Sequence, residues 1–404
     1  MGRRAFIVKF YLIPIICFSF IILVSGFTFS QTKKNSTDTI SFNVEYFYDS
    51  AHHWYDIREE ERVINPDSDQ KRYDVNEIEK IADNILLFQK ENGGWSKNYD
   101  MLAVLTNAQR EAVEKSKGDI NTTFDNGTTF SQVDYLARTY HVTGDKKYLD
   151  GFTTGINFIL TAQYDNGGWP QFYPDTSGYR KYITFNDGAM LGIMKVLHNI
   201  VEKEYYYSFV DEELYSRVSE AYNRGIDCIL KCQIFEDGKL TAWCQQHDNI
   251  DFSPRPARTF EPAAICNGES SEIVELLMKI KNPDREIIAA IQGAVKWFYE
   301  SKISGIKVVT IEAPETEYLY HTSSDDRIVV PDESANPIWT RFYELGTHVP
   351  MFCKRTGEIV YSLDQVERER RTGYAWYIYQ PQEILDSYPE WQMKWITEEN
   401  ILPK

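Results

Sequence analysis

Residues 89–98 read QKENGGWSKN and residues 163–172 read QYDNGGWPQF, so one motif occurs twice in the chain. Each copy follows a stretch whose apolar residues recur every three or four positions, the period of an amphipathic helix. Each ends its helix at an Asn-Gly-Gly turn, where glycine can supply a left-handed cap. A recurring helix and turn indicates a repeat of helix pairs. The predicted fold is therefore mainly α, an α/α toroid of repeated helix pairs with a groove formed by turns on one face.

The same periodicity predicts helices throughout the chain. They cover Val75–Phe88, Phe130–Tyr140, Tyr148–Gln163, Met190–Val201, Leu214–Gln233, Glu269–Lys279 and Ile287–Tyr299. The pattern changes after Ser304, because Lys307–Ile311 and Arg327–Val330 are rich in β-branched residues. We expect a small β element there, in the C-terminal part of the fold.

The first residues have the pattern of an export signal. Arg3, Arg4 and Lys9 precede an apolar run from Phe10 to Val24, and small or polar residues follow it. We predict a secretory signal peptide over residues 1–30, a polar N-terminal arm over 31–70 and the toroid over 71–404. The protein is expected to be secreted or periplasmic and free of the membrane once the signal is removed.

The overall charge narrows the possible partners. The 404 residues include 43 Lys plus Arg against 60 Asp plus Glu, a formal net charge of −17. A general electrostatic attraction to nucleic acid is therefore not expected, and a polyanion would have to be bound by a local group of cations. We expect a monomer.

Two polar patches each precede a predicted helix. Residues 123–129 read TFDNGTT and residues 183–190 read ITFNDGAM, so they look like one position in successive repeats. Asp125 and Asp187 could therefore meet. Calcium takes six to eight oxygen ligands, and carboxylates are suitable ones. Alternatively the two carboxylates are a general acid and base, or Asp125 merely caps a helix.

A third patch, PRPARTFEP at residues 254–262, contains three prolines that hold the chain extended and would aim Arg258 rigidly. Because guanidinium binds carboxylates in a fork, basic residues near aromatic ones suggest local pockets for acidic groups. The candidates are Lys97, Arg180, Lys181, Arg341 and Arg355. Trp95 and Trp169 in the repeated motif either pack between layers or stack on sugar rings.

Together these segments resemble the polysaccharide lyase family 10 pectate lyases. The resemblance spans about residues 75–380, with every motif in order. It rests on NGGWSKN (92–98), TFDNGTT (123–129), NGGWPQF (166–172), ITFNDGAM (183–190), ARTFEP (257–262) and WTRFY (339–343). The resemblance implies an α/α toroid with an open groove. It also implies calcium (Ca2+)-assisted cleavage of polygalacturonate with an arginine as the base.

Residue roles follow from the same resemblance. Arg258 matches the catalytic base, and Asp125 and Asp187 match aspartates associated with calcium. The predicted substrate-binding residues are Lys97, Asn126, Trp169, Arg180, Lys181, Arg341 and Arg355. The chain departs from the family pattern at Gly188, where Asp or Asn is more usual, and at Thr259-Phe260, where Ser-Tyr is more usual.

The implied reaction is a β-elimination that yields 4,5-unsaturated oligogalacturonates. A proton leaves the carbon next to the uronate carboxylate, so cationic groups must offset the developing negative charge. Arginine is an unusual base because its pKa lies above about 12, and Lys181 is the second choice. Two alternatives remain: a glycoside hydrolase that uses Asp125 and Asp187, or a protein that binds acidic glycan without cleaving it.

Overall fold

The computed structural model describes residues 40–57, 62–396 and 402, so the predicted signal peptide lies outside the described part of the chain. All seven predicted helices are present, as α2 and α4 to α9; four further helices have no counterpart in the prediction. The eleven α-helices of the described residues are α1 (Tyr48–Asp56), α2 (Ile78–Phe88), α3 (Asn107–Lys115), α4 (Phe130–Thr143), α5 (Lys146–Ala162), α6 (Ala189–Val201), α7 (Glu212–Cys232), α8 (Asn267–Met278), α9 (Arg285–Ser301), α10 (Arg368–Gly373) and α11 (Gln380–Trp395).

These helices pack in two layers. Helices α4, α6 and α8 contact one another in order and form the inner layer, while α2, α5, α7 and α9 contact one another in order and form the outer layer. Helices α5, α7 and α9 each pack on the inner helix that precedes them, α2 also contacts α4, and α11 packs against α8 and α9. This alternation confirms the predicted α/α toroid. None of the helices in the described ranges combines the length and the apolar character that a membrane span requires.

The tryptophans of the repeated motif belong to the core. Trp95 and Trp169 are both 0% exposed. Their indole N–H groups donate to the carbonyls of Ile85 and Ile159, each at 2.8 Å. Neither ring has a face that a sugar could reach. The prediction that Trp169 contacts substrate is therefore corrected: its indole fills the space between the layers.

The structure contains a third copy of the motif that the sequence conceals. Trp243 is also buried and donates to the Ile229 carbonyl at 2.8 Å, although no Asn-Gly-Gly precedes it. In all three copies a glutamine side chain donates one hydrogen bond to its own turn and one to the next outer helix. These glutamines are Gln89, Gln163 and Gln233, with bonds of 2.9–3.1 Å. Each turn is thereby fixed to the following repeat.

The strands are short except in one ribbon. They are β1 (Ile183–Thr184), β2 (Phe235–Glu236), β3 (Lys239–Leu240), β4 (Gln246–His247), β5 (Ile265–Cys266), β6 (Ile306–Glu317), β7 (Thr322–Pro331), β8 (Trp339–Thr340), β9 (Phe342–Tyr343), β10 (Pro350–Cys353), β11 (Ile359–Val360) and β12 (Tyr377–Ile378). Strands β6 and β7 pair antiparallel, with Ile306 opposite Pro331, and contain both predicted strand segments. The expected small β element is thus confirmed, and it is longer than predicted.

The N-terminal segment, residues 40–57, packs on the toroid. Phe47 and Trp54 are buried, and the Ser50 hydroxyl donates to the Asn126 carbonyl at 2.8 Å. Residues from Ile40 onward form one compact unit. The described part of the predicted arm therefore contains a helix, α1, and touches the turn that carries Asp125.

Candidate active site

The first turn (residues 123–129) connects the first motif to α4. The Thr123 N–H donates to the Trp95 carbonyl at 3.0 Å. Asn126 and Gly127 then adopt left-handed conformations, with φ of +51° and +73°. Asp125 is only 3% exposed, so protein groups rather than bulk water determine its state.

Two polar side chains bind the Asp125 carboxylate. Lys97 Nζ lies 2.6 Å from Oδ2, and Gln171 Nε2 donates to Oδ1 at 2.9 Å. Burial alone would raise the pKa of Asp125. The charge and hydrogen bond of Lys97, together with Gln171 and the charge of Arg258, outweigh burial and lower the pKa below its usual value. Asp125 is therefore a stable anion.

The second turn (residues 183–189) has the same relation to the second motif. The Thr184 N–H donates to the Trp169 carbonyl at 3.2 Å. Asp187 and Gly188 adopt left-handed φ values of +50° and +68° just before α6. Asn186 Nδ2 donates to Asp187 Oδ2 at 2.5 Å. The second acidic side chain is thus presented from a turn at the start of the next inner helix.

Asp187 has a different environment from Asp125. Its side chain is exposed to solvent within the groove. The surrounding protein, followed by the negative charge of Asp125, nevertheless raises the pKa of Asp187, and the positive charges of Arg258 and Arg341 only partly oppose this rise. Asp187 consequently retains a proton more readily than an isolated aspartate.

Arg258 is held by a neighbour in its own motif. Its Nε donates to Glu261 Oε2 at 2.8 Å, and its Nη2 donates to Glu261 Oε1. Glu261 is 1% exposed, and Tyr374 donates to the same carboxylate at 3.2 Å. Partial burial disfavours the guanidinium charge, but the bonds to Glu261 offset this and raise the pKa of Arg258. In this state Arg258 is a cation.

Asp125, Asp187 and Arg258 lie close enough for their charges to act on one another. The positive charge of Arg258 acts on both carboxylates, and the negative charge of Asp125 acts on Asp187. Asp187 in turn stabilises the charged form of Arg258. Tyr374 connects the two arginines beside Asp187, because it donates to the Glu261 carboxylate that holds Arg258 and the centre of its ring lies 4.6 Å from the Arg341 guanidinium carbon.

Arg341 joins the second turn to α8. Its Nη2 donates to Asn186 Oδ1 at 2.9 Å and to Glu269 Oε1 at 2.6 Å. The guanidinium carbon lies 4.6 Å from the centre of the Tyr374 ring. Arg341 thus fixes the residue next to Asp187 and lines the groove beside it.

Arg355 belongs to a group of arginines around one buried ring. The guanidinium carbons of Arg258, Arg355 and Arg370 lie 5.0, 4.9 and 4.8 Å from the centre of the Phe260 ring. Arg355 also pairs with Glu369 at 2.5 Å. This cluster extends the positive side of the groove beyond Arg258.

The remaining predicted cations differ in their relation to the site. Arg180 lies over the Phe172 ring at 4.6 Å and Lys97 lies over the same ring at 5.6 Å, so Arg180 adjoins the Asp125 side of the groove. Lys181 is exposed, with its ammonium 5.6 Å from the centre of the Tyr182 ring. Its contacts do not connect it to Asp125, Asp187 or Arg258 in the described part of the chain.

Asn126, a further predicted substrate residue, is 4% exposed. Its Nδ2 donates to Asn98 Oδ1 at 2.8 Å, and its carbonyl accepts the hydroxyl of Ser50. These bonds fix the first turn and leave the side chain little surface for a sugar.

Sequence reasoning missed three residues that hold the predicted ones. Glu261 binds Arg258, Gln171 binds Asp125 and Glu269 binds Arg341. Glu261 and Gln171 lie inside the motifs ARTFEP and NGGWPQF, so the motifs themselves carried a signal. Glu269 lies in α8, and nothing in its local sequence indicates a groove residue.

A cavity of about 350 Å³ lies beside Asp187 and Arg341. The first turn of α8 and the N-terminal segment form its other walls, through Glu269, Glu45 and Tyr46 among others. The N-terminal segment therefore borders the groove as well as supporting the first turn.

The donor set suits calcium in kind but not in number. Calcium prefers six to eight oxygen ligands. Asp125 and Asp187 supply carboxylates, yet both oxygens of Asp125 already accept hydrogen bonds from Lys97 and Gln171. Within residues 40–57 and 62–396, no group of three or more His, Cys, Asp or Glu side chains could hold a metal ion. A calcium ion here would need oxygens from a bound ligand and from water.

Comparisons with known proteins bear on the family of the chain. A family model described as pectic acid lyase matches residues 89–385. Two solved structures, a family 10 polysaccharide lyase from Cellvibrio cellulosa and its Asp-to-Ala mutant in complex with trigalacturonic acid, are each 30% identical to the chain, with TM-scores of 0.66. Each similarity covers 78% of this chain and 95% or 96% of the other. No curated protein matches the chain.

Proposed function

The chain belongs to the pectic acid lyase family and is a pectate lyase, and on that premise we propose that it cleaves α-1,4-linked polygalacturonate by β-elimination in the groove around Asp125, Asp187 and Arg258. The convergence of these three side chains is the observation that supports the proposal. They come from segments that are far apart in sequence, yet the charge of Arg258 acts on both carboxylates.

The groove offers a polyuronate several cations. Arg258 and Arg355 lie over the same Phe260 ring, and Arg341 donates to Asn186 beside Asp187. Lys97 and Arg180 lie over the Phe172 ring near Asp125. Guanidinium binds a carboxylate through two parallel hydrogen bonds, so a row of arginines suits a polymer with one carboxylate per sugar. The relative that binds trigalacturonic acid supports this choice of substrate.

Asp125 and Asp187 are the residues that would hold calcium, together with oxygens of the sugar and water. When bound, the ion would supply positive charge that stabilises the carbanion-like state next to the uronate carboxylate. Asp187 is the better placed of the two, because it is exposed to the groove while Lys97 already neutralises Asp125. Protein cations then complete the neutralisation.

Elimination transfers the proton of the carbon beside the carboxylate to a base. The electron pair of that C–H bond forms a carbon–carbon double bond while the bond from the neighbouring carbon to the glycosidic oxygen breaks. The leaving oxygen takes up a proton from water. We propose Arg258 as the base, from the resemblance and from its place in the groove. Its ion pair with Glu261 favours the protonated guanidinium, so this role requires substrate to separate the pair. Lys181 is a weaker alternative, since it lies over Tyr182 and away from the three central residues.

The decisive experiment compares two arginines of the same loop. Arg258→Ala should lower kcat/KM on polygalacturonate by about 10²–10⁴-fold, followed through the absorbance of the unsaturated product. Arg255→Ala is the matched control, because Arg255 is similarly exposed and pairs with Asp248 at 2.9 Å instead of facing the groove. If Arg258→Ala retained more than about a tenth of the wild-type activity, Arg258 would not be the base.

The alternative, a glycoside hydrolase that uses Asp125 and Asp187 as acid and base, is distinguished from elimination by its products. Hydrolysis would release reducing ends without an unsaturated chromophore and would survive a chelator. Elimination should create the chromophore and fail when calcium is removed. A protein that only binds acidic glycan would give neither product.

The proposal also includes export, a monomeric state and the absence of nucleic-acid and membrane partners. Export through residues 1–30 would be shown by N-terminal sequencing of the protein from the growth medium or periplasm. A monomer, with neither nucleic acid nor membrane as a partner, is the expected state. Sedimentation of the purified protein would test this.

A further inference from the structure

The ribbon of β6 and β7 ends in a tight turn at residues 318–321. The Tyr318 N–H donates to the His321 carbonyl at 2.8 Å and closes this turn. At the tip, Leu319 is 74% exposed and Tyr320 is 42% exposed. An aromatic ring on an exposed turn needs an explanation when it adjoins a binding groove.

Helix α10 fixes the position of the ribbon. Arg371 donates two hydrogen bonds to Asp326, at 2.8 and 2.6 Å. Arg368 Nε donates to the Asp325 carbonyl at 2.8 Å. These bonds anchor β7 to α10 within a few residues of the tip.

The tip lies next to the positive side of the groove. The guanidinium carbon of Arg355 is 5.5 Å from the centre of the Tyr320 ring and 4.9 Å from the centre of the Phe260 ring. Arg258 lies over that same Phe260 ring at 5.0 Å. Arg258, Phe260, Arg355 and Tyr320 therefore form a continuous row from the proposed base to the ribbon.

The three arginines around the Phe260 ring outnumber the carboxylates that they bind, Glu261 and Glu369. Arg355 and Arg370 both bind Glu369, with the Nε and Nη2 of Arg370 each at 3.0 Å. Burial lowers the pKa of Arg370, and the charges of Arg355 and Arg258 lower it further against Glu369. One carboxylate thus serves two guanidinium groups, and an additional anion would be stabilised there.

We propose that Tyr320 and Arg355 form a sugar-binding subsite for a uronate unit of the substrate, in which the Tyr320 ring packs on the apolar face of the sugar and Arg355 binds its carboxylate. The inference rests on the proposed function and extends it to a residue that no motif identifies. Aromatic rings contribute contact area at low entropic cost, and a neighbouring guanidinium adds charge and direction. Tyr320 takes the role that the buried Trp169 cannot fill.

The test uses three variants of the ribbon tip. Tyr320→Ala should raise KM for polygalacturonate about three- to tenfold with kcat little changed, because it removes binding and leaves the reacting groups in place. Tyr320→Phe should retain the wild-type KM, since it keeps the ring. Leu319→Ala is the matched control: Leu319 is more exposed than Tyr320 and adjoins it, so its loss should leave both constants unchanged. Equal thermal midpoints would show that the variants fold.

The outcomes separate the two proposals. If the wild-type protein released no unsaturated product, the proposed function would be overturned, and the subsite with it. If the wild type were active but Tyr320→Ala kept the wild-type KM, or lost only kcat, the subsite alone would be wrong. An equal loss in Tyr320→Phe would assign the effect to the hydroxyl and overturn the packing of the ring on sugar.

Discussion

The first and second turns have nearly the same backbone conformation, but the aspartate lies at a different position in each. Asn126-Gly127 and Asp187-Gly188 have nearly the same left-handed angles, at +51° and +73° against +50° and +68°. Aligned on these pairs, Asp125 corresponds to Asn186 and Asn126 corresponds to Asp187. The order of acid and amide is reversed between the two repeats.

This reversal gives the two carboxylates different tasks. The Asp125 carboxylate accepts hydrogen bonds from Lys97 and Gln171 and is ionised, whereas Asp187 is exposed to the groove. The amides at the exchanged positions bind protein groups: Asn126 binds Asn98, and Asn186 binds Arg341. A repeat can therefore supply one fixed anion and one carboxyl group that is open to a ligand, without any change of backbone.

The largest expected effect comes from the open carboxylate. Asp187→Asn should lower kcat/KM by about 10²–10³-fold, because it removes a carboxylate that would hold calcium beside the reacting centre, while stability changes little for an exposed side chain. Calorimetry should show a weaker affinity for calcium. Asp251→Asn, at an exposed acid that pairs with Arg255, is the control. Unchanged activity together with unchanged calcium affinity in Asp187→Asn would remove the distinction between the turns.

Asp125, which is held by Lys97 and Gln171, should affect stability more than Asp187 does. Asp125→Asn removes the negative charge next to Lys97, which is 29% exposed, and should lower the free energy of unfolding by about 1–3 kcal/mol. Urea denaturation measures this loss. Combining Asp125→Asn with Lys97→Met should recover part of it, because the ammonium that the Asp125 carboxylate neutralises is then absent as well. If Asp125→Asn were as stable as the wild type, the bonds of Asp125 to Lys97 and Gln171 would not stabilise the fold.

The two glycines provide a smaller and purely steric comparison. An added Cβ at Gly127 would lie 2.2 Å from the Tyr46 carbonyl oxygen, whereas at Gly188 it would meet no atom within 4 Å. Both substitutions to Ala incur left-handed strain of about 1–2 kcal/mol. Gly127→Ala should therefore be the less stable variant in urea, since the N-terminal segment must also move. Equal stabilities would show that this segment does not press on the first turn.

The smallest effect concerns His247, a buried histidine whose strand pairs with the second turn, and this effect is absent at neutral pH. His247 pairs with Ile183 across β1 and β4, and burial lowers its pKa to about 4. The pKa of histidine in an unfolded chain is about 6.5, so the unfolded chain binds a proton at a higher pH than the folded protein does. The free energy of unfolding should therefore fall as the pH drops from about 6.5 to 4. Denaturation at pH 7 and pH 5 would measure the loss. An imidazole resonance that titrated near pH 6.5 would contradict it.

Much of the fold could be predicted because it depends on local patterns. Apolar residues at helical spacing located α2 and α4 to α9, and the repeated NGGW turns indicated the helix pairs. The third copy, at Trp243, was not predicted because its turn has a different sequence, although it makes the same indole and glutamine hydrogen bonds. Helix α1 escaped because its apolar residues are few and its burial depends on the first turn.

The site was only partly predictable. Asp125, Asp187 and Arg258 were found because each lies in a recognisable motif. Their partners were not, since a hydrogen bond such as Gln171 to Asp125 joins residues 46 positions apart. The charge state of each group follows from those partners and from its access to water.

The sequence by itself determined the repeat, the helices and the residue types that can bind a polyuronate, because these depend on spacing and side-chain chemistry along the chain. Only the tertiary structure decided that Trp169 is packed away, that Arg258 is held by Glu261, that Asp125 and Asp187 differ, and that Tyr320 reaches the groove. Those properties arise from distances between segments and from exclusion of water, which no linear pattern specifies.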